Sequence, residues 1–229
     1  MRYLFILVAL LVPVVAQADD LSEDRVKELV LEAIRENPGI VMEAVELLRQ
    51  REQAAQAAAI TSVLERNRDT LDNDPNAPVL GNPEGDVTVV EFFDYNCPYC
   101  RKAKPEIEAL LEADPNVRLV YREWPILGEG SVFAARAALA SSNQDKYEEF
   151  PWSLLGMQGR AEEASALRIA EQVGLDMAQL LEDMDSGEID EHIATSMRLT
   201  KELGCSGTPS FVIGDALVHP KRLHESVLE

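Results

Sequence analysis

The spacing of apolar positions changes twice along the chain, and each change marks a different kind of structure. After Ser22, a residue suited to capping, Val26, Leu29, Val30, Ala33 and Ile34 recur at helical spacing, with Glu23 and Asp24 where the positive end of a helix dipole favours acids. Asn37-Pro38-Gly39 interrupts that stripe and offers the cap and first residue of a second helix. The second helix carries Val41, Ala44, Val45, Leu48, Ile60, Val63 and Leu64 and is expected to end before Asp72. From Asp72 to Pro83 the Asp, Asn and Pro content reads as a linker, with a domain boundary near it.

Beyond Val79 the period shortens. Val87, Val89, Val90, Phe92 and Phe93 form the β-branched and aromatic run of a buried central strand. A helix follows from Cys97 to about Ala113, kinked at Pro105, and Val117 to Trp124 gives a second strand closed by Pro125. Such a strand–helix–strand unit predicts parallel strands with a right-handed crossover. Ser131 to Leu203 is helical, with breaks at Ser142-Asn143, Gly156 to Gly159, Gly174 and Ser186-Gly187. Strands return as a hairpin over Ser210 to Ile213 and Ala216 to Val218, and a short final helix begins near Pro220.

The N-terminus bears on compartment. Arg2 precedes the apolar run Tyr3 to Val15, and Ala16-Gln17-Ala18 has the small residues of a cleavage site, so residues 1–18 are read as a secretory signal peptide. The mature chain then faces an oxidising space. A formal charge of −20 at pH 7 argues against nucleic acid or anionic lipid as partner, since both require a positive footprint.

Cys97-Pro98-Tyr99-Cys100 lies where the central strand gives way to the helix, a context that suits reversible disulfide chemistry. Residues three apart in the first helical turn share a face, within reach of a short disulfide. At the helix N-terminus, unpaired N–H groups and the dipole favour a thiolate, so Cys97 is expected to have a lowered pKa and to be the attacking sulfur. Pro98 suits the first helical position, and Cys100 is expected to be the resolving thiol. A lone CxxC also fits half a zinc site, a Cu(I) site or a structural staple. Zinc is disfavoured, because the remaining cysteine is Cys205 and His192, His219 and His224 show no converging spacing. No metal or cofactor is therefore expected, and the histidines are read as surface residues. Met157, Met177, Met184 and Met197 are read as core fillers rather than copper ligands, and Cys205 as a small buried residue or a reactive third thiol. Glu91 is an ionisable residue inside an apolar strand run; burial would raise its pKa and let it carry the proton that exchange moves, whereas the alternative is a solvent-facing or ion-paired acid. Arg122 in the neighbouring strand is its candidate partner.

Together with this CxxC, the segments Val90-Glu91-Phe92-Phe93-Asp94-Tyr95, Trp124-Pro125-Ile126-Leu127-Gly128 and Gly207-Thr208-Pro209-Ser210-Phe211-Val212 resemble the DsbA family of bacterial thiol-disulfide oxidoreductases, from about Val79 to the C-terminus. The resemblance implies an α/β thioredoxin fold with a large helical insertion at about 131–203, as a catalytic domain over 73–229. It also implies a periplasmic location. By the same resemblance Pro209 is a cis proline facing the cysteines, the Thr208 backbone binds substrate as a short added strand beside Pro98 and Tyr99, and Glu91 is the buried acid beneath the thiols. Thr208 is similar to the isomerase and reductant branches, and Tyr99 gives the dipeptide of glutaredoxins, which are less oxidising. The expected activity is disulfide isomerisation or reduction on unfolded or misoxidised proteins, recharged by an inner-membrane donor of the DsbD or ScsB kind. The alternatives are a dithiol oxidase served by a DsbB-type partner and a periplasmic Cu(I)-binding protein with a role in copper tolerance. Residues 19–72 look like the stalk of the ScsC and Com1 type, some of which are trimeric. That segment has an apolar stripe but too little mass for its own core, so it either packs on other copies, as a homotrimer through residues 21–71, or folds back onto the catalytic domain.

Overall fold

The structure, a computed structural model, describes residues 22–218. The expected signal peptide, the expected final helix, His219 and His224 lie outside the described residues. The chain divides into two compact units, Met1–Ala54 and Ala55–Glu229.

In the first unit, helix α1 spans Glu23–Glu36, and the Ser22 hydroxyl accepts a hydrogen bond from the Arg25 N–H at 3.3 Å, as the capping pattern predicts. Asn37 closes α1, and helix α2 then runs from Gly39 to Asn73. No residue of α1 is buried, and Val26, Leu29, Val30, Leu31, Ile40, Val41 and Met42 are all exposed.

The second unit begins inside α2 rather than after Asp72, which corrects the expected boundary. Leu64 and Leu71 are fully buried among Val90, Phe92, Val120, Leu199 and Val212, so the last turns of α2 belong to the core of the second unit. Helical continuity hides this change of surroundings, because the period does not alter where the neighbours do.

Five strands form one sheet in the order β1-β3-β2-β4-β5: β1 Val79–Gly81, β2 Val87–Phe93, β3 Val117–Glu123, β4 Ser210–Ile213 and β5 Ala216–Val218. β2 and β3 are parallel, joined through helix α3 at Pro98–Ala113, as expected; the other pairings are antiparallel. α3 runs unbroken through Pro105. The edge strand β1 was not expected, since three residues are too few to show an alternating pattern. The helical insertion comprises α4 Glu129–Ala140, a 3-10 turn at Ser141–Gln144, α5 Glu149–Gly156, α6 Glu163–Gln172, α7 Met177–Asp183 and α8 Gly187–Glu202.

Alternation along β2 and β3 sorts side chains onto two faces. Val89, Phe93, Leu119 and Tyr121 face α3 and the insertion, whereas Val90, Phe92 and Val120 face α2 and the end of α8. This alternation overturns the suggested Glu91–Arg122 pair. Glu91 lies opposite Tyr121 on the α3 face, and Arg122 projects to the other, where its guanidinium is buried against the Asp74 carboxylate at 2.6 Å and donates to the Thr70 carbonyl. His192 is likewise not a surface residue. It is 1 % exposed, its Nε2 accepts the Glu123 N–H at 3.0 Å, and its Nδ1 lies 2.9 Å from the Asn76 carbonyl oxygen, an arrangement that fits the neutral Nδ1–H tautomer. Burial first, and then Arg122, hold its pKa down to about 4.

Candidate active site

The chain leaves β2 through a turn held by one buried carboxylate. Asp94 Oδ1 accepts the Asn96 N–H at 2.7 Å and the Ser131 hydroxyl at 2.8 Å, while Oδ2 accepts the N–H groups of Ile126 and Leu127 at 2.8 and 3.0 Å. The Asn96 side chain reaches Ser131 and both backbone groups of Ala161. Arg101 in α3 donates to the carbonyls of Tyr95, Met157 and Gly159. These contacts tie the turn to the loop after β3 and to the insertion, and they fix where α3 begins.

Cys97 caps α3 with an extended backbone, and Pro98 occupies the first turn, where its missing N–H costs nothing. Cys97 keeps 4 % of its surface and Cys100 1 %, whereas Tyr99 is 68 % exposed. The Cys97 pKa falls to about 5. A hydrogen bond from the Cys100 thiol is the leading cause; burial opposes it, and the Thr208 side chain and the N–H groups of Cys100 and Tyr99 add to it. Cys100 moves the other way: burial, its bond to Cys97 and the nearby Glu91 push its thiol well up. One sulfur is thus poised as nucleophile while the other keeps its proton.

Thr208–Pro209 is a cis peptide, as the resemblance implied, and the Cys97 sulfur lies 3.1 Å from the Thr208 carbonyl oxygen, to which its thiol form donates. Beside this loop opens a groove of about 780 Å³ lined by Tyr99, Lys102, Cys205, Thr208, Pro209 and Leu217, among others. Cys205 is half-buried and on the wall of this groove, and burial raises its pKa, so it resembles an inert apolar residue more than a second nucleophile.

Beneath the cysteines, Glu91 is 2 % exposed, its Oε2 has no hydrogen-bond partner among the described residues, and burial, Glu123 and Cys97 raise its pKa well above the usual carboxyl range. Sequence reasoning missed the second acid, Glu123, which is fully buried on the same sheet face. The signal was present: Leu119, Tyr121 and Glu123 alternate along one strand, so whatever buries the first two buries the third.

Residues 88–227 match the family described as the DSBA-like thioredoxin domain. The chain belongs to that family, whose members are thiol-disulfide oxidoreductases. Among solved structures similar to this DsbA-like chain is a thioredoxin-like oxidoreductase from Silicibacter pomeroyi DSS-3, 65 % identical with a TM-score of 0.68, covering 70 % of this chain and 95 % of that one. Another is a linker-deletion variant of Proteus mirabilis ScsC, 26 % identical with a TM-score of 0.65, covering 93 % of this chain and 96 % of that one. Among curated relatives, the Na(+)/H(+) antiporter NhaA 3 of Salinispora tropica is 34 % identical over 143 residues; the match takes in 62 % of this chain but only 22 % of the antiporter's length. No helix among the described residues is long and apolar enough to cross a membrane.

The low pKa of Cys97 gives a direct prediction. Alkylation of the reduced protein by a small iodoacetamide reagent rises through a midpoint near pH 5 and is flat at neutrality, whereas an ordinary cysteine, titrating near 9, still gains rate there. Mass spectrometry of the labelled peptide assigns the reaction to Cys97; a midpoint above pH 8 contradicts the poised thiolate.

Proposed function

We propose that the protein is a periplasmic disulfide isomerase and reductase acting on unfolded or misoxidised secreted proteins through Cys97 and Cys100. The observation that carries this reading is the position of Cys97 at the start of α3, with its pKa held near 5, its sulfur against the Thr208 carbonyl and a groove alongside. The Cys97 thiolate attacks one sulfur of a substrate disulfide; that S–S bond breaks, the other substrate sulfur leaves as a thiolate, and a mixed disulfide forms. In isomerisation the freed thiolate attacks elsewhere in the substrate, a final substrate thiolate displaces Cys97, and no net electrons move. In reduction Cys100 loses its proton and attacks the Cys97 sulfur, so the Cys97–Cys100 disulfide forms and a second substrate thiol leaves with the electron pair. Two electrons from an inner-membrane donor of the DsbD or ScsB kind then restore the dithiol. The Thr208 backbone offers the edge along which an extended substrate segment pairs as an added strand, with Pro98, Tyr99 and Pro209 around it.

A dithiol oxidase recharged by a DsbB-type partner is the second reading, and one observation favours it: a thiolate stabilised at Cys97 stabilises the reduced form and raises the reduction potential. Refolding of scrambled ribonuclease by the full mature chain, together with a glutathione-equilibrated reduction potential, separates the readings. Isomerase activity with a potential near those of glutaredoxins supports the first; no isomerase activity with a potential near that of DsbA supports the second. Tight Cu(I) binding without turnover on either substrate would replace both with a copper-binding role.

The proposal includes secretion through residues 1–18 and assembly as a homotrimer through residues 21–71, supported by the exposed apolar positions of α1 and early α2. Light scattering on the mature chain, with and without the residues up to Ala54, tests the assembly. That truncation spares Leu64 and Leu71, which the catalytic core requires. A monomer in both cases rejects the trimer.

A further inference from the structure

Two carboxylates are buried on one face of the sheet behind the cysteines. Glu91 on β2 lies opposite Tyr121 on β3, and Glu123 lies opposite Phe93, so the acids are diagonal neighbours in parallel register. Each has one oxygen, Oε2, without a hydrogen-bond partner among the described residues. The resemblance of the overall site accounts for an acid at Glu91. It leaves Glu123 without a role.

Their surroundings differ. Glu123 Oε1 accepts two phenol hydroxyls, from Tyr95 and from Tyr147, each at 2.7 Å. Two donors converging on one oxygen stabilise the ionised acid more than the neutral one. The Glu123 backbone N–H is also anchored, on His192. No described side chain donates to Glu91 Oε2, and its charged neighbours are Glu123 and Cys97. The other titratable groups facing the pair are Asp94 at the end of β2, Tyr121 between the two acids, and Cys100 on α3. Asp94 and Cys97, when ionised, are negative, and no cation is among the groups acting on either acid. Two negative charges side by side in such a site are costly, so the pair sheds its protons one at a time.

We propose that Glu123 is a positioning residue for thiol-disulfide exchange: held by the Tyr95 and Tyr147 hydroxyls, it bears the negative charge of the Glu91–Glu123 pair and so governs how firmly Glu91 keeps the proton it shares with Cys100. This rests on the exchange reading of Cys97 and Cys100 for its functional meaning, but the order of ionisation can be observed without turnover. The Glu123 carboxyl, pushed up to about 8 by burial against the pull of the two tyrosines, ionises first. Glu91, with no donor on its free oxygen and a charged Glu123 beside it, follows. When the Cys97–Cys100 disulfide is reduced, Cys100 leaves as a thiolate and takes a proton from Glu91; a charged Glu123 makes that transfer harder and a neutral one makes it easier.

Infrared titration of the reduced full chain tests this through the C=O stretch of protonated carboxyls, with each band assigned by its loss in Glu91→Gln or Glu123→Gln. In the native protein the Glu123 band disappears before the Glu91 band as pH rises. In Glu123→Gln the Glu91 band disappears about one to two pH units lower, the shift expected when one buried charge a few ångströms away is removed. Tyr147→Phe, which removes one donor and keeps the carboxyl, moves the Glu123 band to higher pH, towards the Glu91 band, and carries the test if Glu123→Gln does not fold. Loss of the Glu91 band first, a Glu91 midpoint unmoved in Glu123→Gln, or a Glu123 midpoint unmoved in Tyr147→Phe overturns the proposal. Insulin reduction by the same samples reports separately on exchange, so failure of the enzymatic reading leaves the infrared result interpretable.

Discussion

Cys97→Ser abolishes disulfide exchange, lowering the rate of insulin reduction by on the order of a thousandfold or more, while the far-UV circular dichroism stays that of the native fold; the reduced variant melts lower at neutral pH, because the lowered Cys97 pKa stabilises the reduced protein there. The reasoning runs through one atom. Cys97 is the thiol in the site whose pKa is lowered, and Cys100 is buried and keeps its proton. Cys100→Ala has the opposite signature: attack continues, but the mixed disulfide has no internal sulfur to resolve it, and covalent adducts accumulate on non-reducing gels. If Cys97→Ser retains exchange and Cys100→Ala traps nothing, the assignment of nucleophile and resolver is wrong.

The second large effect is on stability. Arg122 is fully buried with Asp74 as its salt-bridge partner. Asp74→Ala strands that guanidinium without a counter-charge and is expected to destabilise the protein by about 3 kcal/mol, because an uncompensated buried charge costs far more than the pair gains. For a chain of this size the melting temperature falls by roughly 6–12 °C. Asp74→Leu combined with Arg122→Met recovers most of the loss, since neither charge then remains. The pair also has a pH signature. Burial raises the Asp74 carboxyl, but the Arg122 bond and the Asn76 N–H outweigh it and hold the group below its ordinary value of 3.8. A lowered folded-state pKa means that the contribution is complete above that ordinary value and fades as pH falls through the lower one. Denaturant melts from pH 6 to pH 2 check this: the native protein loses stability at the acid end more steeply than the Asp74→Leu/Arg122→Met variant does.

The parts of this molecule that could be read from sequence are those governed by local chemistry. The β-branched run before Cys97, the proline after it and the helical spacing beyond it place a thiolate at a helix N-terminus. The structure has that arrangement, with β2 and β3 parallel on either side. Glu91 was also legible, as an acid embedded in an apolar run. What escaped depends on partners distant in sequence. Asp74 and Arg122 meet across 48 residues, and no spacing rule links them. His192 reads as a polar residue on an amphipathic helix until the sheet supplies the Glu123 N–H and the Asn76 carbonyl that occupy both ring nitrogens. Glu123 ends its strand beside Trp124 and Pro125, so it passes for a boundary residue, although the alternation of β3 carries it inward.

The way Asp94 is bonded has a consequence for how such a protein diversifies. Its carboxylate gathers the turn, the loop after β3 and the start of α4 without touching the dipeptide between the cysteines, and Pro98 and Tyr99 both face solvent. The dipeptide between the cysteines therefore sits outside the framework that keeps the polypeptide folded. A lineage can exchange its two residues one at a time with little risk of losing the scaffold along the way.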